Sequence, residues 1–170
     1  KDTNALNIPG SEDYVSIADH DDFSFGDSSN DSVFSMSAWV RADDVTNFDI
    51  ISKGVVNVQG EYRFYIDGSD HLIIQIFDED VNDCHEFVYY GTDMDIYEGK
   101  WVHLAATYNG VGGSSANGGL KLYVDGVNVA TTGGDNATYV SMVNGTAALH
   151  IGRYDSNYAD GYMCNIGIWS

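Results

Sequence analysis

The chain has 170 residues, and its 26 acidic against seven basic side chains give a formal net charge of −19. Phosphate recognition rests on Lys and Arg, which argues against nucleic acid and anionic membranes as partners, and no apolar run approaches the ~20 residues that cross a bilayer. The length suits a single domain over residues 1–170 with a substantial core, and a surface rich in Asp suits a salty medium where screening relieves self-repulsion.

Strand formers dominate, Pro occurs once and 19 Gly are spread along the chain, as an all-β domain with many turns requires. Residues 5–8 and 14–17 are predicted as short alternating strands around a Pro9-Gly10 turn. An acidic loop over 18–22 follows, then Phe23 and Phe25 enter the core, and 27–31 is a polar loop. Residues 33–42 form a long predicted strand. Phe34, Met36, Ala38 and Val40 share one of its faces, and Ser35, Ser37, Trp39 and Arg41 the other. Residues 49–53 make a shorter strand. The middle is a meander of strands at 61–66, 71–77 and 85–90, joined by a turn at 67–70 and an acidic loop at 78–83.

From Trp101 to Tyr108 bulky and small residues alternate as in a half-buried strand. Asn109-Gly110 ends it, since both tolerate the left-handed conformation of a turn. Residues 111–119 form an exposed loop. Leu120, Leu122 and Val124 then alternate with Lys121, Tyr123 and Asp125, and Asp125-Gly126 is a hairpin signal before a return strand at 127–131. Helical spacing with caps is absent, so no helix is predicted. Trp39, Trp101 and Trp169 each fall in a predicted strand and are expected to be largely protected.

The run Trp-x-His-x-Ala-x-Thr-Tyr-Asn-Gly from Trp101, followed by Leu-x-Leu-Tyr-Val-Asp-Gly from Leu120, resembles the laminin-G-like and pentraxin-like domains of the concanavalin A-like lectin/glucanase superfamily. Three further stretches agree in order: 10–17, 34–40, and Ile151-Gly152-Arg153 with 161–169 as a closing pair. The resemblance spans nearly the whole chain. It implies an all-β jelly-roll sandwich of two antiparallel sheets.

Relatives with this fold hydrolyse β-glucans, which requires two carboxylates on one face, ~5–5.5 Å apart for retention. The glutamates Glu12, Glu61, Glu79, Glu86 and Glu98 do not follow the relatives' Glu-x-Asp-x-x-Glu pattern, and Asp78 and Asp80 fall in a loop. Cys84 and His85 are adjacent, so a strand points them to opposite faces. His20, His71, His85, His103 and His150 lack close metal-ligand spacing. At the family's Trp-x-His position, His103 is expected to make a structural hydrogen bond. The prediction is a protein that is not an enzyme.

Many relatives carry Gly-x-Ile-Asp-Glu-Val where this chain has Gly161 to Ile166, and in several the Asp helps hold a structural calcium. Cys164 replaces it, and a Cys84–Cys164 disulfide is predicted, with two buried thiols as the alternative. Residues 155–160 fall where pentraxin-like relatives place calcium-binding acids. The resemblance therefore implies calcium at Asp155 and Asp160, although the relatives' partner loop has Asp-Asn where this chain has Gln59-Gly60. The acidic loops at 19–22 and 78–83 are further cation candidates, against solvated loops as the plain alternative.

A sugar packs its CH face on aromatic rings while its hydroxyls need polar partners. Tyr154, Asn157 and Tyr158 meet that description with Gln59 and Arg63, and Arg63, Tyr65, Gln75 and Tyr89 alternate onto strand faces that could form a concave surface. Ordinary sheet packing is the alternative for the tyrosines. The expected function is non-catalytic recognition of a glycan or cell-surface polymer, assisted by calcium. The chain is expected to be a piece of a larger secreted, cell-surface or virion protein, in contact with neighbouring domains. A structural or adhesive spacer without a small ligand is the alternative, and a glycoside hydrolase the third class.

Overall fold

Alternation along each strand sorts the side chains into layers, as a computed structural model shows for residues 4–10, 12–55, 59–81, 84–134 and 137–170. Positions 11, 82 and 83, which belong to the predicted opening stretch and the second acidic loop, lie outside the described residues. One antiparallel sheet has six strands in the order β1 (Leu6–Pro9), β15 (Asp160–Trp169), β3 (Phe34–Asp44), β8 (Val102–Tyr108), β9 (Leu120–Val124) and β10 (Val127–Asn128). The other has seven, ordered β11 (Thr132–Gly134), β7 (Cys84–Tyr90), β6 (Leu72–Asp78), β5 (Tyr62–Ile66), β4 (Asp49–Lys53), β12 (Leu149–Ile151) and β2 (Val15–Ile17). The inward residues of both sheets form one core, including Phe34, Met36, Ala38 and Val40 of β3, Leu104 and Ala106 of β8, and Phe64, Ile74 and Ile76 opposite them. Each large side chain so buried stabilises by about 1.5–3 kcal/mol. The architecture is the predicted jelly-roll sandwich.

Three details differ from the sequence expectation. Short 3-10 turns occur at Asp21–Phe23, Met94–Tyr97 and Gly113–Gly119, where no helix was predicted. The last stays in place because the Asn117 N–H donates to Glu86 Oε2 at 3.0 Å. Strand parity also overrides the expected protection of the tryptophans. Trp39 pairs with His103 and Cys164 on the face opposite Met36 and Val40, and it is 38% exposed; Trp169 is 56% exposed. Trp101 alone of the three is half-buried.

The predicted Cys84–Cys164 disulfide does not form. Cys84 faces the core from the seven-stranded sheet, with its sulfur 3.5 Å from Thr138 Oγ1. Cys164 lies beside Trp39 on the outer side of the other sheet. Facing sheets stand about 10 Å apart, beyond the ~7 Å between Cα atoms that a disulfide tolerates. Burial pushes the Cys84 thiol pKa up.

Two acidic side chains of the candidate cation loops, Asp19 and Asp78, are used internally, as are Glu61 and Asp31. Lys53 is fully buried, and its ammonium donates to Asp19 Oδ1 at 2.7 Å and Glu61 Oε1 at 2.6 Å. Asp78 accepts from the N–H groups of Asp80 and Val140. Asp31 ties the end of β8 to the 139–142 segment, accepting from the hydroxyls of Tyr108 (2.7 Å) and Tyr139 (3.0 Å) and from the Met142 N–H (2.8 Å). Burial raises the carboxyl pKa of both Asp31 and Glu61.

Candidate functional site

After β12 the chain turns back at Gly152, whose φ of +83° favours glycine. It then forms a small hairpin of β13 (Arg153–Tyr154) and β14 (Asn157–Tyr158). Hydrogen bonds hold this hairpin over β4: Ser52 Oγ donates to the Arg153 carbonyl at 2.6 Å, and the Gly152 N–H to the Ile50 carbonyl at 3.3 Å. Residues paired across an antiparallel ladder share a face. The register Arg153 with Tyr158 and Tyr154 with Asn157 therefore gives the hairpin two different sides.

Tyr154 points down onto the seven-stranded sheet. Its ring stacks on Phe77, with centroids 6.2 Å apart and planes 10° off parallel, and Arg63 lies 4.5 Å from its centroid. Only 4% of Tyr154 is exposed, so it is a wedge rather than the presented platform the sequence suggested. Burial raises its phenol pKa, and its hydroxyl has no partner among the described residues. Arg63 also lies 3.7 Å from the Tyr65 centroid, and it grips Asp49 through Nε to Oδ1 at 2.6 Å and Nη2 to Oδ2 at 3.0 Å. Asp49 is fully buried; desolvation outweighs Arg63 and pushes its pKa up to about 6.

From Tyr154 a row of rings crosses the outer face of this sheet. Phe77 is followed by His85 at 6.2 Å, Phe87 at 5.8 Å, Tyr89 at 6.5 Å and His71 at 5.3 Å. His85, Phe87 and Tyr89 are half-buried, as are Tyr65 and Gln75 beside them. The Tyr65 hydroxyl donates to Gln75 Oε1 at 3.3 Å. Phe87 lies across Gly134 of β11, where a Cβ would collide with the ring. Rings flanked by an amide, a hydroxyl and a guanidinium form a surface suited to sugar CH faces and hydroxyls.

On the hairpin's other side a second group gathers. The Arg153 guanidinium lies 4.5 Å from the Tyr14 centroid and 5.5 Å from that of Tyr158. Tyr14 meets His150 edge to face at 5.3 Å. Burial, then Arg153, lowers the His150 pKa.

The predicted binding residues are thus divided. Arg63 and Tyr154 meet, Tyr158 joins the second group, and Asn157 faces Tyr154 across the hairpin. Gln59 instead donates its amide to Thr146 Oγ1 at 3.3 Å. His103 rests its ring 5.4 Å from Trp39, and its hydrogen bond to Asp125 comes from the backbone N–H. Sequence reasoning missed His85 and Phe87. Their spacing with Tyr89 at every second residue was a visible signal, but an apolar strand residue reads as core until the sheet's inner face is known.

Calcium requires six to eight oxygens converging on one point. Asp155 occupies the exposed hairpin turn (φ +54°), where its carbonyl accepts from Arg153 Nε at 3.0 Å. Asp160 pairs with Pro9 and Asp44 at the start of β15. Among the described residues no group of three or more His, Cys, Asp or Glu could hold a metal.

Solved structures share this fold. The mouse laminin α1 chain, domains LG4-5, aligns at a TM-score of 0.66 and 13% identity, over 98% of this chain and 42% of that one. Domain 4 of an extracellular arabinanase from Geobacillus stearothermophilus, in complex with arabinotriose, aligns at 0.62 and 16%, over 98% and 70%. A heptameric pentraxin from Limulus polyphemus aligns at 0.56 and 12%, over 97% and 75%. The chain thus spans less than half of the laminin fragment it matches. No curated protein sequence matches it. The model of a laminin G family, described as the concanavalin A-like lectin/glucanases superfamily, matches residues 9–170, and the chain belongs to that family.

Proposed function

We propose that the chain is a non-catalytic carbohydrate-binding module of a larger extracellular or cell-surface protein, and that it binds glycan on the outer face of the seven-stranded sheet. The observation that carries this reading is the half-buried row His85–Phe87–Tyr89, which continues from the covered Phe77 and is bordered by Tyr65 and Gln75. Family membership supports it, as does the arabinanase domain that holds an oligosaccharide on the same fold. The Asp49 carboxylate on this sheet is engaged by Arg63, which favours binding over hydrolysis.

The test is calorimetric titration of a panel of neutral oligosaccharides, with turnover followed in parallel. Titrations run with calcium and with chelator reveal any metal requirement. At least one oligosaccharide should bind without being cleaved. Each of Phe87→Ala and Tyr89→Ala should weaken it about 3- to 10-fold. Full affinity in the double variant, with the fold intact, would move the site elsewhere; steady cleavage would overturn the non-catalytic reading. An adhesive role rests on a different observation, the exposed Trp39 and Trp169 on the opposite sheet.

A further inference from the structure

In a chain this acidic, cations find carboxylates readily. Arg41 meets Asp43 at 3.2 Å, Lys53 meets Asp19 and Glu61, and Arg63 meets Asp49. Lys100 donates instead to the Ile96 carbonyl, and of the three arginines Arg153 is the one that, among the described residues, has no carboxylate within ion-pair distance. Its Nε is occupied by the Asp155 carbonyl at 3.0 Å. Its guanidinium carbon lies over the Tyr14 ring at 4.5 Å and over the Tyr158 ring at 5.5 Å, the two centroids being 6.1 Å apart. Nη1 and Nη2 have no acceptor among the described residues. Stacking holds a guanidinium by its face and leaves its edge free to donate, and two parallel N–H groups on that edge match a carboxylate.

The site is built on rigid elements. Arg153 is pinned through its carbonyl by Ser52. Tyr14 is braced edge to face by His150, which lies in β12 between β4 and β2. Tyr14 is 39% exposed, and Tyr158 and Arg153 are half-buried, so the group is open to solvent. The hairpin places it on the side opposite Tyr154 and the ring row.

We infer that Arg153, resting beside Tyr14 and Tyr158, is a subsite for the carboxylate of an acidic saccharide. The inference rests on the carbohydrate-binding reading above and assigns a charge class to the ligand. The net charge of −19 limits that ligand further. A densely charged polyanion would be repelled by the rest of the surface, whereas an isolated carboxylate feels mainly groups within the ~8 Å screening length of physiological salt. The saccharide is therefore one with sparse carboxylates, such as a terminal or widely spaced uronic acid.

The test uses a panel of uronate-containing oligosaccharides, each matched with its carboxyl-reduced neutral form, titrated against wild type, Arg153→Gln and Arg153→Lys. A peptide ending in glutamate provides the same carboxylate without a sugar. Wild type should prefer the acidic member of at least one pair by about 10- to 100-fold, the range of a charge-assisted hydrogen-bonded pair. Arg153→Gln should erase that preference while leaving affinity for the neutral member unchanged, and Arg153→Lys should keep part of it. Equal binding of both members by wild type would overturn the subsite and leave carbohydrate binding standing. A preference that survives Arg153→Gln would place carboxylate recognition elsewhere, and an equally tight Arg153-dependent peptide would overturn the saccharide assignment. Failure of every pair to bind, where a neutral oligosaccharide of the first panel does bind, would overturn the subsite alone; failure of both panels would end both readings.

Discussion

On the seven-stranded sheet the outward positions carry Arg63, Tyr65, Gln75, Phe77, His85, Phe87 and Tyr89, and the β13–β14 hairpin lies over one side of them. On the six-stranded sheet the outward centre is small, with Ser37 between Ala105 and Gly167, flanked by Trp39 with His103 and by Trp169 folded across Gly167. Both faces arise from the same period-two alternation. What separates them is a covering element. Under the hairpin, Phe77 and Tyr154 are as buried as core residues and a charged pair is sealed beneath them; without one, Trp39 and Trp169 remain open. Outward direction therefore does not mean solvent exposure, and the covered face is where polar groups are held in fixed geometry.

The sharpest way to break this contrast is at the sealed pair. Asp49→Ala leaves the Arg63 charge largely desolvated without its partner, and the expected loss is about 3–5 kcal/mol in urea unfolding. A loss under about 1 kcal/mol would mean that water reaches Arg63 and that the hairpin is no seal.

Titration of Asp49 sharpens it further. The folded pKa of about 6 lies above the reference value of 3.8, so the folded state holds a proton that the unfolded chain has already released. The resulting stability is present below pH 3.8 and lost as pH rises through about 6. Relative to Asp49→Asn, wild type should gain on the order of 2 kcal/mol between pH 7 and pH 4. Raised carboxyls elsewhere, such as Asp31 and Glu61, cancel in that difference. A flat difference would show that Arg63, rather than desolvation, governs this carboxyl.

The smallest expected effect is on the open face. Trp169→Ala should change stability by no more than about 0.5 kcal/mol, and acrylamide should quench Trp39 and Trp169 emission in the native protein. Full protection of both would indicate that something covers this sheet too.

The long alternating runs at 33–42 and 101–108 and the meander at 61–90 were legible because one buried face imposes a period of two on the residues. The candidate site was legible only in fragments. Tyr154, Asn157 and Tyr158 were grouped by proximity in the chain, but the hairpin register turned Tyr154 toward Arg63 and Tyr158 toward Tyr14. Asp155 and Asp160 are likewise close in the chain, and the fold sets one in a tight turn and the other in a sheet register.

By itself, then, the sequence determined the strand content, the core face of each long strand, the family and the acidic character, because each depends on residue type and local spacing. Only the tertiary structure decided which face is covered, which cysteine looks inward and which arginine lacks a carboxylate. Those outcomes depend on contacts between residues far apart in the chain, Tyr14 with Arg153 and Arg63 with Tyr154 among them. No local pattern encodes such contacts, since they follow from the order in which strands pair and from where one short hairpin comes to rest.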